Sequence, residues 1–441
     1  MPEKTERVVT VSEGPDEGFL PSPVSTMAAT ARFQALKAFR IQSFDPVIWV
    51  LFLGVTLNGF SSSIVLPFVS VYLYAYGGIT AGDVGLAIFA STIIGSVFPL
   101  VGGELSDMLG RKRIFIAGLA LLISSYLLLA WAVRSNAPFI LYVTLLSLSG
   151  MGSGLFRPVP SAIIADAVPP EKRLETYGLT RTGHNMGFAI GPVVGGMVAM
   201  ISYTLVFMLT AAVSFIYLML VAIFIKDTRT ARKEKKGRDS MLVVLHDKPF
   251  VCFVLLASLA SFIAAQMYSP LSVYAKGFAG LSEAEIGAFL SLNGVMVVLF
   301  QYTVTRLASR YRITTSMAVG MAFNGLGFAL IGLSHNFTAL LVCIAIITTG
   351  ELLYLPSFTT MSVNLSPDDK RGRYLGLSGL MGSAGFGVGA LAGGLTLDSL
   401  SAMPGIFWLL IGTLSAVNAA GFIVLKKVIP TGADTLLKQP S

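Results

Sequence analysis

The chain has 441 residues, of which 54% are hydrophobic and only 12% are charged, and its formal net charge is +8. Soluble proteins carry about 25% charged residues, so this composition excludes an ordinary water-soluble domain. It indicates instead a chain whose outer surface faces lipid.

The N-terminal tail, residues 1–45, contains acidic, proline and serine residues and has no apolar stretch near Met1. This pattern is typical of a disordered tail and differs from that of a cleaved signal peptide. We therefore expect the first apolar segment after the tail to act as the insertion signal.

Twelve apolar stretches follow the tail. A bilayer core of about 30 Å requires roughly 20 residues of helix, and lipid offers the backbone no partner outside a helix or closed barrel. The predicted helices 1 to 12 are 46–75, 83–104, 114–134, 138–166, 174–200, 202–226, 248–275, 283–308, 313–334, 337–366, 371–399 and 402–427. We expect an all-α integral membrane protein.

The basic residues predict the orientation. Of the 31 Lys and Arg residues, Arg134 and Lys276 fall in external loops, Arg157 and Arg181 fall within helices, and the other 27 lie at the cytoplasmic side if the N-terminus is inside. This bias obeys the positive-inside rule. It places both termini in the cytoplasm, and it accounts for the net charge by contact with anionic inner-leaflet lipid rather than with nucleic acid.

The chain divides into two halves. A charged segment, 227–247, separates a predicted six-helix bundle, 46–226, from a second bundle, 248–428, which a short tail, 429–441, follows. Residues 168–196 also align with 366–394 at an offset of 198, with recurring Pro-x-x-Lys-Arg and glycine spacings. Parallel repeats of this kind predict bundles related by a pseudo-two-fold axis along the membrane normal, with a substrate site between them.

The connection between predicted helices 2 and 3 carries a recognisable motif. It reads GELSDMLGRKR from Gly103, and it resembles the G-x-L-a-D-x-x-G-R-K motif of the major facilitator superfamily. The resemblance implies that this loop latches the halves in one access state, through Asp107, Gly110 and Arg111, while Gly103 would permit close helix contact. A role in topology alone would not require Asp107.

Predicted helix 5 carries a second motif, which resembles the antiporter motif of the drug:proton (multidrug efflux) branch of that family. The resemblance implies export. The spacing of three of its glycines also predicts a smooth stripe for close helix packing, which is the alternative explanation, and its proline favours a kink. The motif consists of Gly178, Gly187, Gly191, Pro192, Gly195 and Gly196.

Two departures from the family pattern stand out. The loop copy in the second half, 305–312, has lost both glycines and the acid. Predicted helix 4 has Leu146 where many family exporters have an arginine, and Arg157 lies further along the same helix. Because of these departures, the family pattern does not identify the residues of the proton pathway.

Glu351 is the leading candidate for proton coupling because it lies near the middle of predicted helix 10. A carboxyl group at that depth is costly and usually faces a cavity or a partner. The 198-residue offset pairs Arg157 with Leu355, one turn from Glu351, so Arg157 is a second candidate, with carbonyl bonding near Pro158 as its structural alternative. His184 is a third candidate, although a hydrogen-bonded packing histidine is the better explanation.

Four amides within the helices are candidates for the substrate cavity, although helix-to-helix hydrogen bonding is the common role of such groups. They are Asn58, Gln266, Asn293 and Asn324.

We therefore predict a major facilitator fold and secondary active transport by alternating access, with proton-coupled export of small lipophilic molecules across the cell membrane. The alternatives are a proton-coupled symporter that imports a sugar or organic acid, and a non-transporting sensor. The spacing of Cys, His and acidic residues predicts neither a metal site nor an enzyme centre. We expect a functional monomer that needs no cofactor besides the proton, with a small molecule and membrane lipid as partners.

Overall fold

The computed structural model describes residues 45–226, 241–334 and 336–435, which are predominantly helical. Most of the predicted N-terminal tail, residues 227–240 of the central loop, His335 and the last six residues lie outside the described part of the chain.

Twelve helices are long and apolar enough to span a membrane. They are α1 Pro46–Ala75, α2 Ala81–Leu109, α3 Arg111–Arg134, α4 in two segments Phe139–Phe156 and Val159–Ala167, α5 Pro170–Ile201, α6 Tyr203–Phe224, α7 in two segments Lys248–Ala265 and Ser269–Gly277, α8 Glu283–Ala308, α9 Ile313–Ile331, α10 Phe337–Asn364, α11 Arg371–Ser399 and α12 Pro404–Leu425. We call α1–α6 the first half and α7–α12 the second half.

Two of the predicted helices are interrupted. The break in α4 falls at Arg157 and Pro158, where Pro158 and Pro160 remove two backbone donors within three residues. The break in α7 precedes Pro270, and the N–H of Leu271 donates to the carbonyl of Gln266 at 2.9 Å instead of continuing the regular pattern. By contrast, α5 continues through Pro192.

The halves repeat the same helix contacts. A Cβ built on Gly187 of α5 would clash with the carbonyl of Thr56 on α1, and one built on Gly385 of α11 would clash with that of Ser258 on α7. Gly187 and Gly385 are 198 residues apart, as the sequence repeat predicts, and Thr56 and Ser258 are 202 residues apart. The same two offsets relate the contact of Gly118 with Gly152, between α3 and α4, to that of Gly320 with Gly350, between α9 and α10. This correspondence, contact by contact, is the pseudo-two-fold relation between the halves.

Gly320 on α9 lies at a close contact with α10. A Cβ there would lie 2.7 Å from the carbonyl oxygen of Gly350. The reason is the pseudo-symmetry itself, since Gly320 occupies the place of Gly118. Gly320 is therefore part of a tight helix crossing.

Candidate functional site

The glycine stripe on α5 lies against a helix of its own half. Cβ atoms on Gly187, Gly191 and Gly195 would all clash with α1, at Thr56, Phe60 and Ile64 respectively. The predicted close packing is thus present, and its partner is α1. The stripe binds the first half together, so it is not the surface on which the two halves meet.

The two halves meet on a different face of α5. Cβ atoms on Gly287 and Gly294 of α8 would clash with Pro192 and Ala189 of α5, and the N–H of Val193 donates to the hydroxyl of Ser291 at 3.0 Å. These contacts lie in the half of the membrane that we expect to be external. Nearer the predicted cytoplasmic side, no described residue lies within 4 Å of a Cβ placed on Gly178.

A hydrogen-bonded carboxylate closes the predicted external side. The Tyr76 and Tyr203 hydroxyls of the first half donate to Glu283 Oε1 of the second half at 2.7 and 3.0 Å. Lys276 Nζ forms an ion pair with the same oxygen at 2.9 Å. Burial and the hydrogen bond to Glu283 raise the pKa of Tyr76, so its phenol remains a donor at neutral pH. We call these four residues the outer gate.

A second carboxylate joins the halves on the same side. Asp398, at the end of α11, accepts hydrogen bonds from the N–H groups of Ala81 at 2.9 Å and Gly82 at 2.7 Å. These are the first residues of α2, where unsatisfied N–H groups and the helix dipole favour an anion. With the outer gate, this contact holds the predicted external entrance shut.

A cavity of about 430 Å³ opens among α1, α4, α5 and α6. Arg157, Arg181 and His184 line it, together with Asn58 and Asn185. Counted at 1.5 Å per residue from Ala167 at the end of α4 and Pro170 at the start of α5, Arg157 lies about 15 Å and Arg181 about 16 Å from the predicted cytoplasmic ends. Both arginines are nevertheless exposed. The conformation is therefore open toward the predicted cytoplasmic side and closed on the other.

Glu351 lies near the middle of α10, as predicted, and is partly exposed. The amide nitrogen of Asn293, on α8, donates to Glu351 Oε2 at 2.6 Å and to Thr348 Oγ1 at 3.0 Å. Among the described residues, neither Glu351 nor Arg157 forms an ion pair. Glu351 is thus a carboxyl group deep in the membrane that has an amide partner but no cation beside it.

Of the four amides, Asn58 lines this cavity, and Asn293 is buried where α8 meets α10. Gln266 and Asn324 also lie away from the cavity. The Gln266 amide is fully buried and donates to the carbonyls of Phe262 and Gly389, at 2.8 and 2.9 Å, where α7 crosses α11. Asn324 is buried where α9 meets Gly350 of α10. Both lie between helices of one half, because the tight crossings there leave backbone groups within reach of an amide.

His184 stands between the cavity and α1. A Cβ on Gly59 would lie 2.9 Å from its Nδ1, which has no hydrogen-bond partner among the described residues. Its ring is 6.3 Å from that of Phe188, which is 6.1 Å from Tyr268 in the second half. The histidine therefore begins a series of aromatic contacts that crosses from one half to the other.

The loop between α2 and α3 pairs within the first half. Arg111 is 2.8 Å from Asp107 and 3.0 Å from Asp166 at the end of α4. Gly110 has φ 104°, which confirms that the turn needs a glycine. The expected close contact of Gly103 is absent, since nothing lies within 4 Å of a Cβ there; Gly102 makes such a contact with Leu155 instead. A shift of one residue turns a helix by about 100°, so the neighbouring glycine faces α4.

Sequence reasoning missed several of these positions. Asn185, which lines the cavity, carried a usable signal because it lies four residues after Arg181 on the same face of α5. The outer gate carried none, because Tyr76, Tyr203 and Glu283 are far apart in the chain and tyrosines are common near membrane interfaces.

Comparison with known families agrees with this architecture. The family model of the Major Facilitator Superfamily matches residues 51–313 and 254–439. The chain belongs to the major facilitator superfamily. It is therefore a multi-pass membrane transporter, and small molecules are the substrates of such proteins.

Its relatives include the multidrug resistance protein MdtH of Salmonella arizonae, 25% identical over 382 residues that cover 85% of this chain and 93% of MdtH. The uncharacterized MFS-type transporter YqjV of Bacillus subtilis is 23% identical over 86% of this chain and 93% of its own length.

Solved structures share the fold. A POT family transporter in complex with 5-aminolevulinic acid has a TM-score of 0.72 and 16% identity, covering 87% of this chain and 96% of that chain. The nucleoside transporter NupG has a TM-score of 0.71 and 14% identity over 86% and 99% of the two chains.

Proposed function

We propose that this transporter exports small lipophilic molecules from the cell in exchange for protons. In this proposal it lies in the cell membrane as a functional monomer surrounded by lipid, both termini are cytoplasmic, and the proton is its coupling ion without any further cofactor.

The observation that carries the proposal is the setting of Glu351. A carboxyl group in the membrane interior exchanges a proton when its surroundings change, because low dielectric favours the neutral acid and water or a cation favours the carboxylate. Glu351 is partly exposed, has no ion-pair partner among the described residues, and accepts one hydrogen bond from Asn293. Because α8 and α10 both hold it, a rearrangement between these helices would alter its contacts.

The cycle follows from the two faces of the molecule. Substrate enters the cavity from the cytoplasm or inner leaflet while the outer gate is closed. The halves then rock about the contacts of α5 with α8 and of α2 with α11, which opens the opposite side. Substrate leaves, Glu351 accepts a proton, and the return step releases that proton to the cytoplasm. Proton and substrate are carried in opposite phases of this cycle.

Two further observations support export. The motif on α5 has the full antiporter pattern, and its glycines fix α5 to α1 so that the first half can move as a unit. The relative MdtH is named as a multidrug resistance protein, which agrees with the removal of foreign molecules.

Everted membrane vesicles test the direction of transport. An exporter accumulates a substrate, identified by a resistance screen, when the vesicle lumen is more acid than the medium, and an ionophore that dissipates the proton gradient abolishes the accumulation. Accumulation that requires an alkaline lumen would contradict export.

A second candidate function is a proton-coupled symporter that imports an organic acid. Arg157 and Arg181 favour it, since neither has an acidic partner among the described residues and a proton bound elsewhere in the site would increase the attraction for an anion. The same vesicle experiment separates the two candidates, because the symporter requires the opposite gradient.

A further inference from the structure

The charges of the cavity are one-sided. Its lining comprises thirteen residues of the first half, of which Arg157 and Arg181 are charged and none is Asp or Glu. Neither guanidinium forms a hydrogen bond or ion pair within the described part of the chain. Two arginines held deep in the membrane without a counter-ion are costly, and such groups usually mark a substrate pathway.

The repeat distinguishes these arginines from the scaffold. The 198-residue offset that relates α5 to α11 and α4 to α10 preserves Pro158 and Pro169 and several packing glycines, such as Gly152, which corresponds to Gly350. At the same offset Arg157 corresponds to Leu355 and Arg181 to Gly379. Nothing lies within 4 Å of a Cβ on Gly379, and Leu355 is exposed. The second half thus has the same helix packing with no cation at the corresponding places.

Guanidinium groups bind carboxylate, sulfonate and phosphate oxygens in pairs of parallel hydrogen bonds, and they repel cations. A volume of about 430 Å³ is within the usual range for a drug-sized ligand. We propose that Arg157 and Arg181 form an anion-binding subsite, and that the transported molecules are amphiphilic anions with one acidic group and an apolar body. The acidic group lies between the two arginines, and the apolar body contacts apolar side chains of the same lining, such as Val55, Phe156 and Ile164.

This inference rests on the proposed function only in taking the cavity as the transport pathway. It requires neither proton coupling nor a given direction, and a binding measurement therefore tests it separately.

The test compares three probes with the same apolar body: 1-pyrenebutyrate, 1-pyrenebutanol and 1-pyrenebutylamine. The purified full-length protein is held in nanodiscs of phosphatidylcholine, binding is followed by pyrene anisotropy, and the signal of protein-free discs is subtracted. We expect the carboxylate to bind at least tenfold more tightly than the alcohol or the amine. Equal binding of the acid and the alcohol, or tightest binding of the amine, would overturn the proposal.

Variants identify the subsite. Arg157→Gln and Arg181→Gln should each weaken binding of the carboxylate about tenfold or more, with little effect on the alcohol. Arg134→Gln, at the exposed external end of α3, is the matched control and should bind like the parent. Arg157→Lys controls for misfolding of Arg157→Gln, because it keeps the positive charge and should recover part of the affinity for the carboxylate. Arginine variants that bind the carboxylate as tightly as Arg134→Gln does would contradict the assignment.

Anionic lipid headgroups share this chemistry, so a second set of nanodiscs contains phosphatidylglycerol. Unchanged affinity for the carboxylate supports a subsite for substrate, whereas loss of carboxylate binding would show that a headgroup occupies it and would overturn the proposal. Glu351→Gln should keep the preference for the carboxylate. A result that refutes the anion-binding subsite therefore does not refute proton coupling, and a result that refutes proton coupling does not refute the subsite.

Discussion

Three acidic side chains illustrate how setting decides role. Asp107 is 64% exposed beside Arg111, Glu283 is buried and bonded to three donors, and Glu351 lies within α10 with an amide for a partner. An exposed pair contributes little to stability, and a buried carboxylate with several donors fixes a contact. Of the three, Glu351 is the one that lies deep in its helix without an ion-pair partner among the described residues, which is the setting that the proposed coupling requires.

The loop after α2 gives a prediction about access states. In this open conformation Arg111 of its own loop is the only ion-pair partner of Asp107 among the described residues, so a latch that involves Asp107 must act when the cytoplasmic side is closed. Asp107→Asn should therefore increase the population that is open to the cytoplasm, with a stability change within about 1 kcal/mol. Labelling of Asn58→Cys from the cytoplasmic side, after Cys252 and Cys343 are replaced by serine, measures this population. Unchanged labelling and transport would refute the latch.

Arg111 itself should matter more for stability. Its guanidinium is only 12% exposed and contacts both Asp107 and Asp166. Arg111→Gln would remove both contacts and should cost about 1–2 kcal/mol, because Arg111 is nearly buried whereas both carboxylates keep contact with water. A lowered thermal unfolding temperature in detergent would reveal this loss. Lys172→Gln, at the exposed start of α5, is the comparison variant, and an equal effect of the two substitutions would contradict a stabilising role for the contacts of Arg111.

For single residues, the sequence predicts how deep a side chain lies in the membrane better than which neighbouring helix it faces. The position of Glu351 along its helix follows from counting residues, and the turn at Gly110 follows from its motif. The burial of Gln266 and Asn324 between helices could not be predicted, because these helices are apolar on all sides and their sequence does not reveal which face meets the cavity. The same lack of periodicity explains why Gly103 was expected to make the contact that Gly102 makes.

Among the helices, α5 is a connecting element with two functions. One face, with Gly187, Gly191 and Gly195, is fixed to α1, and another, around Pro192 and Gly196, meets α8 of the other half. The sequence motif predicts close packing but names no partner, and only the fold distinguishes the fixed face from the moving one.

Gly191→Leu should destabilise the first half. Its Cβ alone would clash with Ser63 and approach the carbonyl of Phe60 to 2.6 Å, and overpacking of this kind costs about 1–3 kcal/mol. The control is Gly379→Leu on α11, where a Cβ meets nothing within 4 Å. The thermal unfolding temperature and the transport rate should both fall for Gly191→Leu. The unfolding temperature of Gly379→Leu should change little. Equal unfolding temperatures would contradict the tight contact with α1.

The outer gate gives a prediction about access from the predicted external side of the membrane. Glu283→Gln weakens the bond to Lys276, and Tyr203→Phe removes one hydrogen bond, so both should favour opening toward the outside. Labelling of Asn58→Cys by a membrane-impermeant reagent applied externally should rise several-fold in both variants. Tyr302→Phe, on a residue that is 77% exposed, is the control and should label like the parent. External labelling that does not rise in either gate variant would show that other contacts hold this side closed.

For the molecule as a whole, the two halves share a scaffold but not a chemistry. The repeat reproduces crossings, as at Gly118 and Gly320, while the arginines belong to the first half and Glu351 to the second. The twelve helices and their pseudo-symmetry could be predicted because lipid imposes length and apolarity on each helix and the repeat is visible in the glycines. The contacts between the halves could not, because they join residues from distant helices.

The most direct test of the account is pH-gradient-driven transport by Glu351→Gln in proteoliposomes. Glutamine keeps the size of the side chain and can still hydrogen-bond, but it cannot release a proton. We predict that Glu351→Gln abolishes accumulation against a gradient, while exchange of substrate down its own gradient persists. Glu351→Asp should keep part of the coupling, with an altered pH dependence. Glu175→Gln, which replaces an exposed acid on α5, should accumulate substrate normally. Full accumulation by Glu351→Gln at equal protein content would contradict the central claim and make Glu351 a structural residue.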